Sequence, residues 1–255
     1  MRSILILAAC MLVTPLSAMS DSPVADDVYV IFDADLPMIE MSDGDITYSA
    51  KEVNWPTARV RVLMFDDDSG GVSHPITDET LLYVLSGAAT VGVDGETVSI
   101  VAGDVVSFPS GELGNPGAPA DATIVTWTAP SLTGEMPPTL VKGADVAEGG
   151  GGAIKLKRYE FPGNSVRAVK LAGGSSTNPN SAKTDSLIYV TGGPMTFHQN
   201  GQEFVVNTGD FIREIAGLQH HWTITSDSGF VTTSGKPLDM DQINPDEATD
   251  RPPER

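Results

Sequence analysis

Cysteine is nearly absent: Cys10 is the only one among 255 residues, so a chain trimmed of its first segment has no thiol left. Disulfides and thiolate chemistry are thereby excluded, and the fold must rest on its apolar core. Basic residues are also scarce. The 15 Lys and Arg stand against 34 Asp and Glu, for a formal charge of −19. That balance repels nucleic acid and anionic lipid, and its ordinary use is solubility. The acidity is uneven, with 22 acidic and 4 basic residues in 21–150 but 12 and 10 in 151–255. Asp66-Asp67-Asp68, the densest acidic run, reads as a solvated turn rather than a calcium loop. No serine–histidine–acid set is evident. Gly149 to Gly152 lacks the Lys-Ser/Thr of a phosphate-cradling loop.

Long apolar runs are missing too. Ile4 to Val13 is too short to span a bilayer, and no other segment is longer and as apolar. With Arg2 before it and the small residues from Thr14 to Ser20 after it, it predicts a removable secretory signal at residues 1–20. The mature chain is then expected to be exported, periplasmic or secreted, and free of the membrane.

What is present is a repeat. At a constant offset of 106 residues, Arg61 meets Arg167, Tyr83-Val84 meets Tyr189-Val190, and Gly87 meets Gly193. Gly95 then meets Gly201, Gly103-Asp104 meets Gly209-Asp210, Gly111 meets Gly217, and Val125-Thr126 meets Val231-Thr232. No gap is needed between about 61 and 128, which indicates two copies of one plan. Each copy consists of short strands and tight turns. Arg59 to Phe65 alternates, Leu81 to Leu85 is β-rich, and Thr90 to Val93 runs through Asp94-Gly95 into Val98 to Val101. The pattern predicts an all-β protein of closed antiparallel barrels. The expected boundaries are 21–130 for the first barrel with its leading strand and 153–236 for the second. A Pro/Gly-rich flexible connector at 131–152 lies between them, and a loose acidic tail runs over 237–255. Val28 to Phe32 reads as a strand that could join either barrel.

These residues resemble the cupin superfamily. Gly70-Gly71-Val72-Ser73-His74 through Glu79 to Gly87 is similar to the family's first motif, and Gly103-Asp104 through Pro109-Ser110-Gly111 to its second. Asp185 through Gly193, and Gly209-Asp210 through Gly217-Leu218-Gln219-His220, repeat both. The resemblance covers about residues 59–235 and implies two tandem jelly-roll β-barrels. Metal-binding relatives present three His and one carboxylate inward, a donor set suited to Mn, Fe, Ni or Zn. Counted back from Gly87, those positions are His74, Ile76 and Thr80, with Gly114 last. A shift of one residue recruits Glu79 but makes another position Val72. In the second copy, Asn180, Asp185 and His220 face His74, Glu79 and Gly114. With so few donors, the resemblance implies one divalent Fe, Mn, Ni or Zn held weakly or not at all.

The expected site is therefore in the second barrel. His220 and Asp185 would act as acid and base, or as two ligands of a weakly held metal, with Asn180, His74 and Glu79 as substrate-binding candidates. His198 and His221 are expected to point outward, and Trp127 and Trp222 to fill core. The resemblance implies a small-molecule ligand and either an isomerase, lyase or dioxygenase type of enzyme or a non-catalytic binder of a sugar or organic acid. Pairing into a homodimer is common in the family.

Overall fold

The computed structural model describes residues 25, 27–43, 46–65, 74–75, 78–93, 96–109, 113–114, 121–129 and 137–235. The proposed signal, the Asp66-Asp67-Asp68 run, the Asp94-Gly95 turn and the 237–255 tail lie outside the described residues. The first twelve strands are β1 (Val30–Ile31), β2 (Ile39–Asp43), β3 (Ile46–Asn54), β4 (Arg59–Phe65), β5 (His74–Pro75), β6 (Glu79–Ser86), β7 (Ala88–Val93), β8 (Glu96–Val101), β9 (Val105–Phe108), β10 (Leu113–Gly114), β11 (Ala122–Ala129) and β12 (Thr139–Val141). The rest are β13 (Gly149–Gly151), β14 (Ile154–Glu160), β15 (Asn164–Leu171), β16 (Ser175–Ser176), β17 (Asn180–Ser181), β18 (Ser186–Gly192), β19 (Met195–Gln199), β20 (Gln202–Val206), β21 (Phe211–Glu214), β22 (Gln219–Ile224) and β23 (Ser228–Gly235). One 3-10 turn, Asp33–Asp35, is the only helical element among the described residues.

All pairings are antiparallel, and the register repeats at the 106-residue offset. Tyr83 faces Val125 as Tyr189 faces Val231, and Val84 faces Ile124 as Val190 faces Phe230. Two large sheets result, ordered β12-β9-β6-β11-β4-β3-β2 and β1-β21-β18-β23-β15-β14-β13. Smaller sheets, β7-β8 with β5-β10 in one half and β16-β22-β19-β20 with β17 in the other, close each barrel.

Period-2 alternation divides the apolar residues into three layers. Along β6, Leu82 and Val84 turn into the first barrel with Val91, Ile100 and Phe108. Leu81 and Tyr83 turn the other way, into a central layer that also holds Trp127, Tyr159, Leu187 and Phe211. Along β18, Leu187 and Tyr189 join that central layer, while Ile188 and Val190 enter the second barrel with Phe197, Trp222 and Ile224. The two large sheets thus pack through one shared core. Trp127, fully buried, reaches across it to donate from its indole to the Leu187 carbonyl at 3.2 Å.

The halves also exchange arms. β1, the leading strand, pairs with β21 of the second barrel, Val30 facing Ile212 and Ile31 facing Phe211. β12 pairs with β9 of the first, Leu140 facing Val106 and Val141 facing Val105. Segment 131–152, expected as a flexible connector, therefore carries two paired strands. β12 ties it to one sheet, and Gly149–Gly151 forms β13 against β14 in the other. The glycines read as a linker because they lack side chains, yet their backbone groups still complete a ladder. Equivalent aspartates clamp both arms. Asp104 accepts from the N–H groups of Gly143 (2.8 Å) and Val101 (3.0 Å), and Asp210 from those of Asp33 (2.8 Å) and Asn207 (2.7 Å).

Candidate functional site

The pairing register says which residues face the inside of the second barrel. Directly opposed residues of an antiparallel sheet share a face. Glu160, Ser165, Ser234, Ser186 and Glu214 form one continuous row across β14, β15, β23, β18 and β21. The next row inward is Arg158, Arg167, Thr232, Ile188 and Ile212. Ile188 and Ile212 belong to the barrel core, so both rows lie on the inward face, with Arg158 and Glu160 exposed at its β14 end. The barrel is polar at this end and apolar beyond it, where Val190, Phe230 and Leu171 follow. From the opposing sheet, β22 contributes His220 and Trp222, and β19 contributes Phe197 and Gln199.

Two ionisable side chains meet here. Nε2 of His220 lies 3.5 Å from Oε1 of Glu214, and their side chains are 9% and 12% exposed. The same Glu214 oxygen accepts from the Trp222 indole at 3.2 Å. Ser186 adds a further hydrogen bond. Burial pushes the Glu214 carboxyl above its ordinary value, and His220, Trp222, Ser186 and Arg167 offset only part of that rise. His220 Nδ1 is buried without a hydrogen-bond partner among the described residues, with the Phe197 ring 6.5 Å away between centroids. Trp222 is fixed in turn between Phe197 (4.7 Å) and Phe230 (5.3 Å). A buried acid and an imidazole within reach of one another can hold and hand on a proton in a site of low dielectric.

Asp185, expected beside His220, is placed elsewhere. It sits one residue before β18, on the parity of the outward Leu187 rather than the inward Ser186. One of its oxygens is held by Arg213 (Nε 2.8 Å, Nη2 2.7 Å), and the other accepts the Ala216 N–H at 2.9 Å. The acid beside His220 is Glu214. Glu79 lies on the outward parity of Leu81 and Tyr83, away from the first barrel's interior. Asn180 does come to His220, directly opposite it in the β17–β22 ladder, with its side chain exposed. His74 takes the matching backbone place opposite Gly114 in β5–β10. His198 and His221 lie on the outer face of β19 and β22. Their rings stack in parallel with centroids 4.0 Å apart, and Thr223 and Glu203 contact His198. Sequence reasoning missed Glu214, Ser186 and Arg167. Alternation from the apolar Ile212 was the signal that could have found the first of these.

A firmly held transition metal does not fit the donors of this barrel. The inward positions that metal-binding relatives fill with donors correspond here to Asn180, Ala182, Ser186 and His220. Only one imidazole survives, and the carboxylate near it is tied to an indole and a hydroxyl. Among the described residues, no three His, Cys, Asp or Glu side chains converge on a point that could hold an ion. The first barrel has Thr80, Phe108 and Gly114 where the second has Ser186, Glu214 and His220, so it has no matching acid–imidazole pair.

Residues 65–126 match the family model described as Cupin domain. No curated protein matches the chain. Among solved structures, an oxalate decarboxylase from Lactobacillus farciminis in complex with formate superposes with a TM-score of 0.68 at 13% identity, over 86% of this chain and 89% of that one. AerE from Microcystis aeruginosa gives 0.67 at 9% identity, over 79% and 98%. The 7S globulin of Momordica charantia gives 0.65 at 13%, over 81% and 83%. At these identities the likeness establishes the fold alone.

Proposed function

We propose, from the premise that this chain belongs to the cupin superfamily, that its C-terminal barrel binds a small polar molecule and moves a proton on it without a metal. The supporting observation is the contact between His220 and Glu214 at the polar end of that barrel, with the acid's proton affinity raised by burial. Glu214 stores the proton, His220 presents or collects it, and Ser186 with Trp222 fixes the carboxylate in one orientation. Proton transfer of this kind serves isomerisation, epimerisation and elimination. The first barrel serves as a scaffold, supplying the shared core and the β1 arm that pairs with β21. Export of the mature chain, read from residues 1–20, is part of the proposal.

A non-catalytic binder is the second reading. In its favour, all the Glu214 contacts named above are made within the protein. Solvent exchange separates the two. In deuterated buffer, the protein is incubated with small hydroxy acids, keto acids and sugars, and proton loss is followed by NMR. Exchange at one carbon of one compound class, abolished by Glu214→Gln and by His220→Gln, is the expected result. Binding without exchange for every compound would leave the binder.

A further inference from the structure

We propose that the molecule taken up by the C-terminal barrel carries a carboxylate, and that Arg167 anchors it. The inference rests on that barrel being the binding site, but not on its catalysing a reaction.

Six buried side-chain nitrogen or oxygen atoms lack a hydrogen-bond partner among the described residues, and three belong to Arg167, His220 and Ser234. All three side chains lie at the polar end of one barrel, Arg167 and Ser234 on neighbouring rows of the same face. Unpaired donors in an interior are costly, and clustering of this kind is the mark of a site completed by something else.

The internal repeat shows that Arg167 lacks the facing carboxylate its equivalent has. Its equivalent in the first barrel is Arg61, whose Nε donates to Glu52 on the facing strand. In the second barrel the residue facing Arg167 is Arg158, at the position equivalent to Glu52. Arg158 is itself paired with Glu160. The inward arginine is therefore kept while the carboxylate opposite it is replaced by a cation. Burial and the nearby Arg158 charge lower the Arg167 pKa, and the charges of Glu214 and Glu160 offset only part of that. A carboxylate from solution restores what Glu52 supplies in the sister barrel, through the two-pronged geometry a guanidinium offers. Charge favours one negative group over two. Arg158 with Glu160 is neutral, and Glu214 retains its proton more readily than an ordinary carboxyl. The single charge of Arg167 then matches a monoanion, and a phosphate dianion exceeds it.

Titration calorimetry tests this on the mature chain, with acetate, propionate, acetamide, propionamide and inorganic phosphate as probes. The acids should bind about tenfold or more tightly than their amides and than phosphate, the loss expected when one charge-assisted pair is missing. Arg167→Gln should remove that preference. Arg167→Lys, which keeps the charge without the fork, should retain part of it, and Arg61→Gln in the sister barrel should leave it intact. The acid–amide comparison needs only the native protein, so a misfolded variant does not obscure it. Equal binding of acid and amide, tighter binding of phosphate, carboxylate binding that survives Arg167→Gln, or no binding of any carboxylate would each overturn the proposal. Carboxylate binding with no proton exchange on any compound would leave it standing and remove the catalytic reading instead.

Discussion

Replacing Asp104 by asparagine probes the arm exchange most directly. The carboxylate is 2% exposed and holds three donors: Gly143 N–H at 2.8 Å, Val101 N–H at 3.0 Å and Lys142 Nζ at 3.0 Å. Gly143 and Lys142 follow β12, so two of the three contacts dock the arm. Burial pushes the Asp104 carboxyl up, but the hydrogen bonds from Gly143, Val101 and Lys142 with the Lys142 charge outweigh it, and the pKa is lowered. An amide offers one oxygen, and its NH2 must then face a backbone or lysine donor. The loss is one charge-assisted bond of about 1.5–3 kcal/mol plus an unsatisfied donor. The half-exposed Lys142 adds no more than about 1 kcal/mol. Together these give about 2–4 kcal/mol, or roughly 4–16 °C in Tm at about 2–4 °C per kcal/mol for a chain of this size. The sign with pH follows from the lowered pKa. Stability from the clamp is complete above the unfolded carboxyl value near about pH 4, and is lost as pH falls through the lower folded value. Thermal melts of wild type and Asp104→Asn should therefore differ most near neutrality and converge in acid. A variant melting within about 1 °C of wild type at pH 7 would refute the clamp, since no other partner of that carboxylate could supply the missing energy.

Glu214→Gln should abolish proton exchange while leaving the protein at least as stable near neutrality. The raised Glu214 pKa means that the folded state holds a proton the unfolded state has lost, so wild-type stability declines with rising pH from about 4.3 up to the folded value. The variant should lack that decline in melts across the range. Trp127→Phe should cost about 2–3 kcal/mol, from the lost indole hydrogen bond and a cavity in the shared core. It should lower one cooperative urea transition of the whole molecule. Two separated transitions would show that the halves are not coupled through that layer.

The architecture was legible because its signals are local or repeated. Alternation in Arg59–Phe65 and the constant 106-residue offset required no tertiary knowledge, and the strands and register follow both. The arms were legible only in part. Val28 to Phe32 reads as a strand with its partner barrel left open, and Thr139–Val141 lies in a segment that reads as a connector. The site turned on one residue of register. Asp185 and Ser186 are neighbours, and only the strand's parity decides which of them looks inward. The usual motif spacing gives the serine, and only a one-residue shift recruits the acid; the barrel interior receives the serine and draws its acid from Glu214 on β21. Glu214 escaped notice because its repeat partner is Phe108, and a search for shared residues passes over positions where the copies differ.

Those differences carry the functional argument. Shared positions such as Gly103-Asp104 and Gly209-Asp210 build turns and clamp arms, work that both barrels need equally. Three inner-face positions where the copies diverge bear on the site: Phe108 against Glu214, Gly114 against His220 and Glu52 against Arg158. The first barrel closes its interior with an aromatic ring and an internally paired arginine. The second keeps a buried acid, an imidazole with an unused nitrogen and an arginine without its facing carboxylate. Three of the six unpaired buried atoms among the described residues, on Arg167, His220 and Ser234, lie together at one end of the second barrel, beside the divergent positions Glu214 and Arg158. Titratable and unpaired groups meeting in one interior mark that end, rather than the first barrel, as the ligand site.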